Sequence, residues 1–556
     1  MASATSRSRS ALPALVVGAG PTGLTMAAEL ARFGVQCRIV DKGAGRTDLS
    51  KAIGMQARTL EILDNLGIVD EIIAAGHIVR GLSGHVKARR IFHFTYDELD
   101  SPYPFLLNIV QSDTERILGG LVERQGLSVE WQVELLGFEQ DDAGVTARLR
   151  HADGREEEVR TDWLIGCDGA RSYVREALKM PFEGETYNEY FALTDARLDW
   201  SLPDDELHAF VNPEGVLFAL PLGDRHYRLI VADKARDGHA EGTEPTFEDF
   251  QRALDVRGPG DATLSDPGWM TAFHVNARVA GEHRRGRVFL AGDAAHIHSP
   301  VGGQGLNTSV QDAHNLAWKL AHVIAGGADE KLLDSYEAER APVARDVIKM
   351  TNGLTHMLTL HNVEAQHVRN TIMPLLGHVH AVGRQIASQD SEIVVNYRHS
   401  PLVDEFRAGR FGRMRFAGGP QPGDRAPDVG PLVLPDGTEG RFFDVLRGAT
   451  WHTLLLFEGE APNESTSAEL GELAAAAEAE YGAAVRSYVV STSSSGDGKL
   501  QDSTGALHHR FHADEPCLYV IRPDGYIALR GRPPHRESLH EYLDRVLAGG
   551  QVAVSN

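Results

Sequence analysis

The sequence predicts an α/β protein of several domains, and three observations lead to that prediction. The chain has 556 residues, a length typical of two to four domains. Residues 12–41 read as a buried strand, an amphipathic helix and a second strand, whereas residues 181–280 have the alternating pattern of antiparallel strands. Residues 441–556 return to a mixed pattern of strands and helices.

Composition narrows the classes of function. The formal net charge is -23, and an acidic surface of this kind repels phosphate backbones, which argues against a nucleic-acid partner. No stretch of 18 apolar residues occurs, so we expect no membrane span. The three cysteines form no CxxC pair, which favours a reducing cytoplasm; they are Cys37, Cys167 and Cys517. We expect residues 1–12 to form a disordered tail.

The opening strand–helix–strand unit carries a glycine-rich turn. Three glycines follow the GxGxxG spacing, Gly18, Gly20 and Gly23. In such a turn the first glycine allows the tight bend, the second lets a pyrophosphate approach the backbone, and the third lets helix and strand pack closely. Asp41 ends the second strand, where it can accept hydrogen bonds from a ribose 2′-OH. The unit therefore predicts a Rossmann-like domain with a bound dinucleotide, and alone it does not separate NAD from FAD.

Two further motifs follow predicted strands. One is "WLIGCDGARSYVR" at 163–175, and the other is "FLAGDAAHIHSPVGGQGLN" at 289–307. His296 and His298 suggest a metal site, but no cysteine or third ligand lies nearby in the sequence. Leu306 and Asn307 stand where a Walker A loop has Lys and Ser or Thr, which excludes that phosphate loop. The remaining interpretation is a cofactor seat in which glycines and a helix N-terminus stabilise negative charge.

Together these motifs identify a family. The GxGxxG, the "CDGxxSxVR" and the "GDAAHxxxPxGGxGxN…DAxNLxWKL" resemble the class A flavoprotein aromatic hydroxylases of the phenol hydroxylase-like type, as do "QARTLEILDNLG" (56–67) and "QSDTERIL" (111–118). The resemblance implies an FAD-dependent monooxygenase. In that family NADPH or NADH reduces FAD transiently, O2 adds at the flavin C4a position as a hydroperoxide, and the distal oxygen is transferred to an aromatic ring.

The resemblance also implies roles for individual residues, matched position by position. The ADP half of FAD would be held by Gly18, Gly20, Gly23, Asp41 and Lys42. Arg58 and Gln111 would lie near the pyrophosphate and ribityl chain, and Asp168 would serve FAD and NAD(P)H jointly. Asp293 would accept hydrogen bonds from the ribityl hydroxyls, and Pro300 would lie beside the reactive C4a edge. The remaining predicted flavin contacts are Gly303, Gly305, Leu306 and Asn307. No catalytic residue and no metal ligand is assigned.

The same resemblance implies the domain organisation. The FAD-binding domain would be discontinuous, with residues 13–180 and 281–395, and residues 181–280 would form an inserted β-rich substrate domain. Residues 396–440 would form a linker, and 441–556 a thioredoxin-like C-terminal domain that supports structure or a dimer, since it lacks the CxxC needed for dithiol chemistry. Three aromatic residues are candidates for the substrate pocket, with a core role equally open: Phe210, Phe218 and Tyr227.

The expected substrate is a phenolic or polyketide-like aromatic molecule, and the expected state is a cytoplasmic homodimer. One alternative keeps the fold and FAD but inserts oxygen by a Baeyer–Villiger or epoxidation reaction. A flavin disulfide reductase would need a paired-cysteine motif, which the chain lacks. A non-catalytic FAD-binding interaction protein is the alternative from another class.

Overall fold

The chain is described here from a computed structural model. The structure describes residues 12–47, 52–86, 89–212, 215–233, 244–299, 302–358, 380–407, 418–461, 463–493 and 499–547. The expected tail therefore lies outside the described residues, except for Leu12, which begins the first strand.

The strands that the structure describes are, in chain order, β1 (Leu12–Val17), β2 (Cys37–Asp41), β3 (Gly54–Met55), β4 (His77–Val79), β5 (Gly81–Val86), β6 (Arg89–Thr95), β7 (Leu106–Asn108), β8 (Val129–Trp131), β9 (Glu134–Asp141), β10 (Gly144–Arg150), β11 (Glu156–Gly166), β12 (Phe182–Asp199), β13 (Glu206–Asn212), β14 (Gly215–Gly223), β15 (His226–Asp233), β16 (Thr263–Ser265), β17 (Met270–Ala280), β18 (Arg284–Arg285), β19 (Val288–Leu290), β20 (His296–Ile297), β21 (Asp404–Arg407), β22 (Leu432–Val433), β23 (Glu439–Gly440), β24 (His452–Phe457), β25 (Val485–Ser491), β26 (Lys499–Gln501), β27 (Cys517–Ile521) and β28 (Ile527–Arg532).

The described helices are α1 (Pro21–Arg32), α2 (Ala57–Asn65), α3 (Val69–Ala75), α4 (Gln111–Arg124), α5 (Tyr173–Ala177), α6 (Phe247–Arg257), α7 (Gln304–Ile324), α8 (Asp334–Leu358), α9 (His380–Asp390), α10 (Phe442–Leu446), α11 (Glu464–Tyr481), α12 (Ala506–Phe511) and α13 (Arg536–Val546). None of the helices described is long and apolar enough to cross a membrane.

The first sheet contains the predicted Rossmann-like unit. Its main path is β18-β19-β11-β1-β2-β8, with β1 parallel to both β2 and β11. Helices α1 and α7 cover one face of this sheet, and a second apolar cluster with β9 and β10 covers the other. Burial on both faces explains why β1 is a continuous apolar run rather than an alternating one. The predicted strand–helix–strand opening is confirmed.

The second sheet is the β-rich one that residues 181–280 predict. Its path is β20-β17-β12-β15-β14-β13-β5-β6, with β16 on β12. The sheet extends beyond the predicted boundaries, because β5 and β6 (residues 81–95) continue it past β13 and β20 pairs with β17. This corrects the domain prediction: β5 covers the β13 edge, whose backbone groups would otherwise be unpaired.

The third sheet forms the core of the C-terminal region. Its path is β21-β28-β27-β24-β25-β26-β22-β23, so three strands come from the segment predicted as a linker. Strand β21 pairs in parallel with β28, and β22 pairs with β26 and β23. The prediction of a linker at 396–440 is wrong for these residues, because short strands flanked by Gly and Pro can still pair at the edges of a sheet.

A buried cluster of charges joins this C-terminal region to α7 and α8. The Glu339 carboxylate accepts from Lys319 Nζ at 2.7 Å and from Arg522 Nη1 at 2.6 Å. Arg522 also pairs with Asp524, which accepts from Trp318 Nε1 at 3.0 Å. The four charged side chains are 0–1% exposed. Burial lowers the pKa of Lys319 to about 8, although the Glu339 charge opposes this shift. Glu339 thus compensates the Lys319 charge and shares the compensation of the Arg522 charge with Asp524.

We predict that Glu339→Gln lowers the free energy of unfolding by about 3 kcal/mol, because it leaves the buried Lys319 and Arg522 charges undercompensated. Urea unfolding followed by tryptophan fluorescence measures the change. Arg116→Ala is the matched control, since it breaks an exposed pair with Asp113 and exposed pairs contribute little. Equal effects of the two substitutions would contradict the prediction.

Candidate cofactor site

In the glycine turn between β1 and α1, the first and third glycines pack tightly against protein atoms, whereas the second has free space beside it. Gly18 has φ +105°, and a Cβ there would lie 2.3 Å from the Cys167 carbonyl oxygen. A Cβ on Gly23 would lie 1.9 Å from the Gly18 oxygen, whereas a Cβ on Gly20 would meet nothing within 4 Å. The first and third glycines are therefore required by packing, and the second faces free space at the N-terminus of α1.

Asp41 lies at the end of β2, beside this turn. Its Oδ2 accepts from Ala19 N at 2.7 Å, and its Oδ1 accepts from Gly43 N at 2.7 Å. Lys42 is exposed next to it. The carboxylate thus joins the glycine turn to the loop that follows β2, and each oxygen keeps a further lone pair for a ligand hydroxyl.

The motif at residues 163–175 contacts the motif at residues 289–307. Asp168 Oδ2 accepts from Val174 N at 3.1 Å at the start of α5, and Arg175 Nη1 donates to the Ala294 carbonyl at 2.9 Å. Burial raises the pKa of Asp168, and its buried Oδ1 has no hydrogen-bond partner among the described residues. Because the Cys167 carbonyl packs on Gly18, the turns of all three motifs meet in one place.

Asp293 lies in a short 3-10 turn, Gly292–Ala294, that follows β19. It is exposed, although the residues on both sides of it are buried. A Cβ on Gly292, which has φ +63°, would lie 2.5 Å from Thr22 Oγ1 and 2.9 Å from Ser309 Oγ. The turn is therefore held between the first turn of α1 and the start of α7, and Asp293 points out of it.

Asp312 of α7 fixes this turn from inside. Its Oδ2 accepts from Gly292 N at 3.0 Å and contacts His296 Nε2 at 2.7 Å, while Oδ1 accepts from Arg340 Nε at 2.7 Å. Burial opposes ionisation, yet His296 and Arg340 hold the pKa of Asp312 well below its usual range. His296 is therefore a structural partner. Among the described residues no group of three or more metal-ligating side chains occurs.

The glycine loop before α7 is built for close approach. Gly303 caps the helix with φ +63°, and a Cβ there would meet nothing within 4 Å. Asn307 pins the loop, since its Nδ2 donates to the Gly303 carbonyl at 2.7 Å and its Oδ1 accepts from Gln56 N at 2.8 Å. Gly305 lies against the His298 ring, and Leu306 packs on the core beneath α1. Pro300 lies outside the described residues.

Arg58 does not join this group. Its Nη1 donates to Glu61 Oε2 at 2.9 Å, its Nη2 donates to the Asp524 carbonyl at 2.8 Å, and its guanidinium lies 5.1 Å from the centre of the Tyr526 ring. The side chain therefore faces the C-terminal region, where it has a carboxylate and a carbonyl to bind. This corrects the expectation that it lies near the pyrophosphate.

Gln111 begins α4 and donates from Nε2 to Glu115 Oε1 at 2.8 Å. Arg46, which sequence reasoning missed, extends over the same helix: a Cβ on Gly119 would lie 2.8 Å from its Nη1. Burial raises the pKa of Glu115, and the charge of Asp41 adds to this shift while that of Arg46 opposes it. An arginine in the glycine-rich loop directly after Asp41 was the available signal for this cation.

The structure separates the three candidate substrate residues. Phe210 and Tyr227 are 0–1% exposed in the core between the second sheet and α6. Tyr227 OH also accepts from Trp200 Nε1 at 3.2 Å. Phe218 lies on the opposite face and is half-buried. Of the two roles that the sequence left open, Phe210 and Tyr227 have the core role, because their register places them on the helix-covered face.

Comparison with known proteins agrees with this geometry. Residues 11–351 match the family model described as the FAD binding domain. The chain is 34% identical to 6-methylpretetramide 4-monooxygenase of Streptomyces rimosus over 93% of this chain and 90% of the relative. It is 33% identical to pentachlorophenol 4-monooxygenase of Sphingobium chlorophenolicum over 96% of both chains. A ternary complex of aklavinone-11 hydroxylase with FAD and aklavinone superposes with a TM-score of 0.74 at 28% identity, covering 97% of this chain and 99% of the other.

The chain belongs to the FAD binding domain family of flavin-dependent aromatic hydroxylases. It is an FAD-dependent monooxygenase that hydroxylates an aromatic substrate. Three observations show that its residues fit FAD: the free space over Gly20, the unpartnered buried Oδ1 of Asp168 and the exposed Asp293 in a buried turn.

The glycine turn yields a paired prediction. We expect Gly20→Ala to weaken FAD binding about tenfold or more without changing apoprotein stability, because its methyl group meets cofactor and not protein. Gly23→Ala is expected to lower both the FAD affinity and the stability of the apoprotein, since its Cβ collides with the Gly18 carbonyl. Fluorescence titration with FAD and thermal unfolding of the apoprotein measure the two effects. Wild-type FAD affinity in Gly20→Ala would show that the cofactor does not cross this turn.

Proposed function

We propose that this monooxygenase hydroxylates a polycyclic, polyketide-like phenol. The observation that supports this proposal is a row of half-buried apolar side chains on the face of the second sheet opposite α6. Its members are Leu82, Phe92, Phe218, Leu220, Ile230 and Phe273. Apolar side chains in core-like positions are usually fully buried, so a row of partly exposed ones favours a ligand surface.

The dimensions of the row favour a substrate of several rings. Ile230 is on β15, Phe218 on β14, Leu82 on β5 and Phe92 on β6. Four steps separate β15 from β6 in the sheet, and neighbouring strands are about 4.8 Å apart, so this part of the row spans roughly 19 Å. Phe273, on β17, extends the row by two further strands. A single phenol ring would cover a small part of it, whereas a fused polyketide skeleton would cover much of it.

The protein side of the chemistry is positioning and charge stabilisation. FAD, when bound, accepts the reducing equivalents of NAD(P)H and activates O2 for transfer to the aromatic ring. The chain would hold the ADP half at the Gly18–Gly23 turn and Asp41, and the ribityl chain at Asp293. The N-terminus of α7 at Gly303 would lie towards the flavin ring, where backbone N–H groups stabilise negative charge without a titrating cation.

The proposal also includes the type of C-terminal domain, the cellular compartment and the assembly of the protein. The third sheet, with α11 and α13, supports a thioredoxin-like C-terminal domain, and its one cysteine, Cys517, is a buried free thiol whose pKa burial raises to about 12. Cys37 and Cys167 are also buried free thiols, which supports a reducing cytoplasm. A homodimer is the expected assembly, and light scattering of the holoenzyme measures it.

The substrate proposal is tested by NAD(P)H oxidation in the presence of tetracyclic phenols and of single-ring phenols. We expect the tetracyclic compounds to stimulate oxidation more strongly and at lower concentration, because they cover more of the apolar row. Preferential stimulation by a single-ring phenol would overturn the assignment of substrate size. A product with oxygen inserted between two carbons would instead favour the Baeyer–Villiger alternative.

Two phenylalanines on opposite faces of the second sheet distinguish substrate contact from packing. We expect Phe218→Ala to raise KM for a tetracyclic phenol about tenfold with a small loss of stability, because its ring is half-buried on the apolar row. Phe210→Ala is expected to cost about 3–5 kcal/mol of stability with KM unchanged. Steady-state kinetics and thermal unfolding separate these outcomes, and an unchanged KM in Phe218→Ala would remove Phe218 from the pocket.

A further inference from the structure

Asp390, at the end of α9, lies against the glycine loop that begins α7. Gln304 Nε2 donates to the Gly302 carbonyl at 3.0 Å, to the Asp390 carbonyl at 2.9 Å and to Asp390 Oδ1 at 3.3 Å. Gln304 is fully buried. One amide group thus ties the loop to both the backbone and the carboxylate of Asp390.

The same carboxylate reaches two further elements. Asp390 Oδ2 accepts from Tyr96 OH at 2.7 Å, directly after β6 of the second sheet, and from Gln56 Nε2 at 3.3 Å, at the start of α2. Gln56 also donates its backbone N–H to Asn307, which pins Gly303. The side chains named around the Asp390 carboxylate all donate hydrogen bonds to it. Both side-chain oxygens of residue 390 must therefore act as acceptors.

The Asp390 carboxylate lies in a place that disfavours its charge. Burial raises the pKa of Asp390 to about 6, although hydrogen bonds from Tyr96, Gln56 and Gln304 oppose the shift. A neutral side chain would fill the same space at a lower cost in stability, since a buried charge without a countercharge is destabilising.

We infer that Asp390 is a positioning residue of the flavin site, which fixes Gln304 and thereby the Gly302–Gly303 loop in the geometry that the flavin needs. The inference rests on the proposed flavin seat at the N-terminus of α7. Asp390 also connects this loop to the second sheet through Tyr96, so one carboxylate sets the spacing between the cofactor seat and the sheet that carries the apolar row.

Glu392 offers a matched control two residues away. Its Oε1 accepts from Thr308 Oγ1 at 3.1 Å, and its Oε2 accepts from Gln311 Nε2. Burial raises the pKa of Glu392 to about 8, although the Arg340 charge opposes the shift. Glu392 is therefore a second buried carboxyl that contacts α7, but its partners on that helix lie beyond the glycine loop.

The test compares Asp390→Asn with Glu392→Gln in the full chain, with FAD and sulfite as probes. Sulfite adds to flavin N5 and leaves negative charge near N1, so its affinity reports how well the loop stabilises that charge. We expect Asp390→Asn to weaken FAD or sulfite binding about tenfold, the equivalent of one hydrogen bond of about 1.4 kcal/mol. Glu392→Gln should leave both affinities within about twofold of wild type, because it does not touch the loop.

A second variant keeps the inference falsifiable if Asp390→Asn folds poorly. Gln304→Met removes the amide that joins the loop to Asp390, and we expect it to reproduce the weakened sulfite binding at near-wild-type melting temperature. Wild-type FAD and sulfite affinities in either variant, or equal losses in Glu392→Gln, would overturn the inference. If the wild-type protein itself binds no FAD, the proposed flavin seat fails instead.

Discussion

The buried carboxylate of Asp312 is the interaction on which the cofactor site depends. It holds the Gly292 backbone, the His296 ring and the Arg340 guanidinium at 2.7–3.0 Å, and the charge is fully enclosed. Because the Gly292 turn also packs on Thr22 and Ser309, this carboxylate sets the distance between the first turn of α1 and the start of α7. One residue thus sets the relative position of two helix N-termini, which are places where backbone N–H groups can stabilise negative charge.

Buried polar contacts along α7 also join this helix to α8, to the C-terminal region and to Asp390. Asp312 and Arg340 join it to α8, whereas Lys319 and Trp318 join it through Glu339 and Asp524 to the C-terminal region. Gln304, at its first turn, joins it to Asp390. The helix is therefore fixed at its start, its middle and its far end by buried polar contacts, which are specific in geometry because each partner must be satisfied. A site that binds a charged cofactor benefits from such rigidity.

Much of this architecture could be predicted from the sequence, because the relevant signals are local. The spacing of Gly18, Gly20 and Gly23 and the strand ends before Asp168 and Asp293 are properties of short segments. The partners of Arg58 could not be predicted, since Asp524 is 466 residues away. Which face Phe210 occupies depends on the register of β13, and the strand β21 exists only through pairing with β28. Asp312 was visible in its motif, but its role required three-dimensional neighbours.

In the proposed function, FAD delivers one oxygen atom to an aromatic ring held against the apolar row. Incubation of the holoenzyme with NAD(P)H and a tetracyclic phenol under isotopically labelled O2 tests this most directly, with the product analysed by mass spectrometry. We predict one labelled oxygen on a ring carbon for each NAD(P)H consumed in coupled turnover. Bound FAD with NAD(P)H oxidation but no labelled product from any aromatic substrate would contradict it.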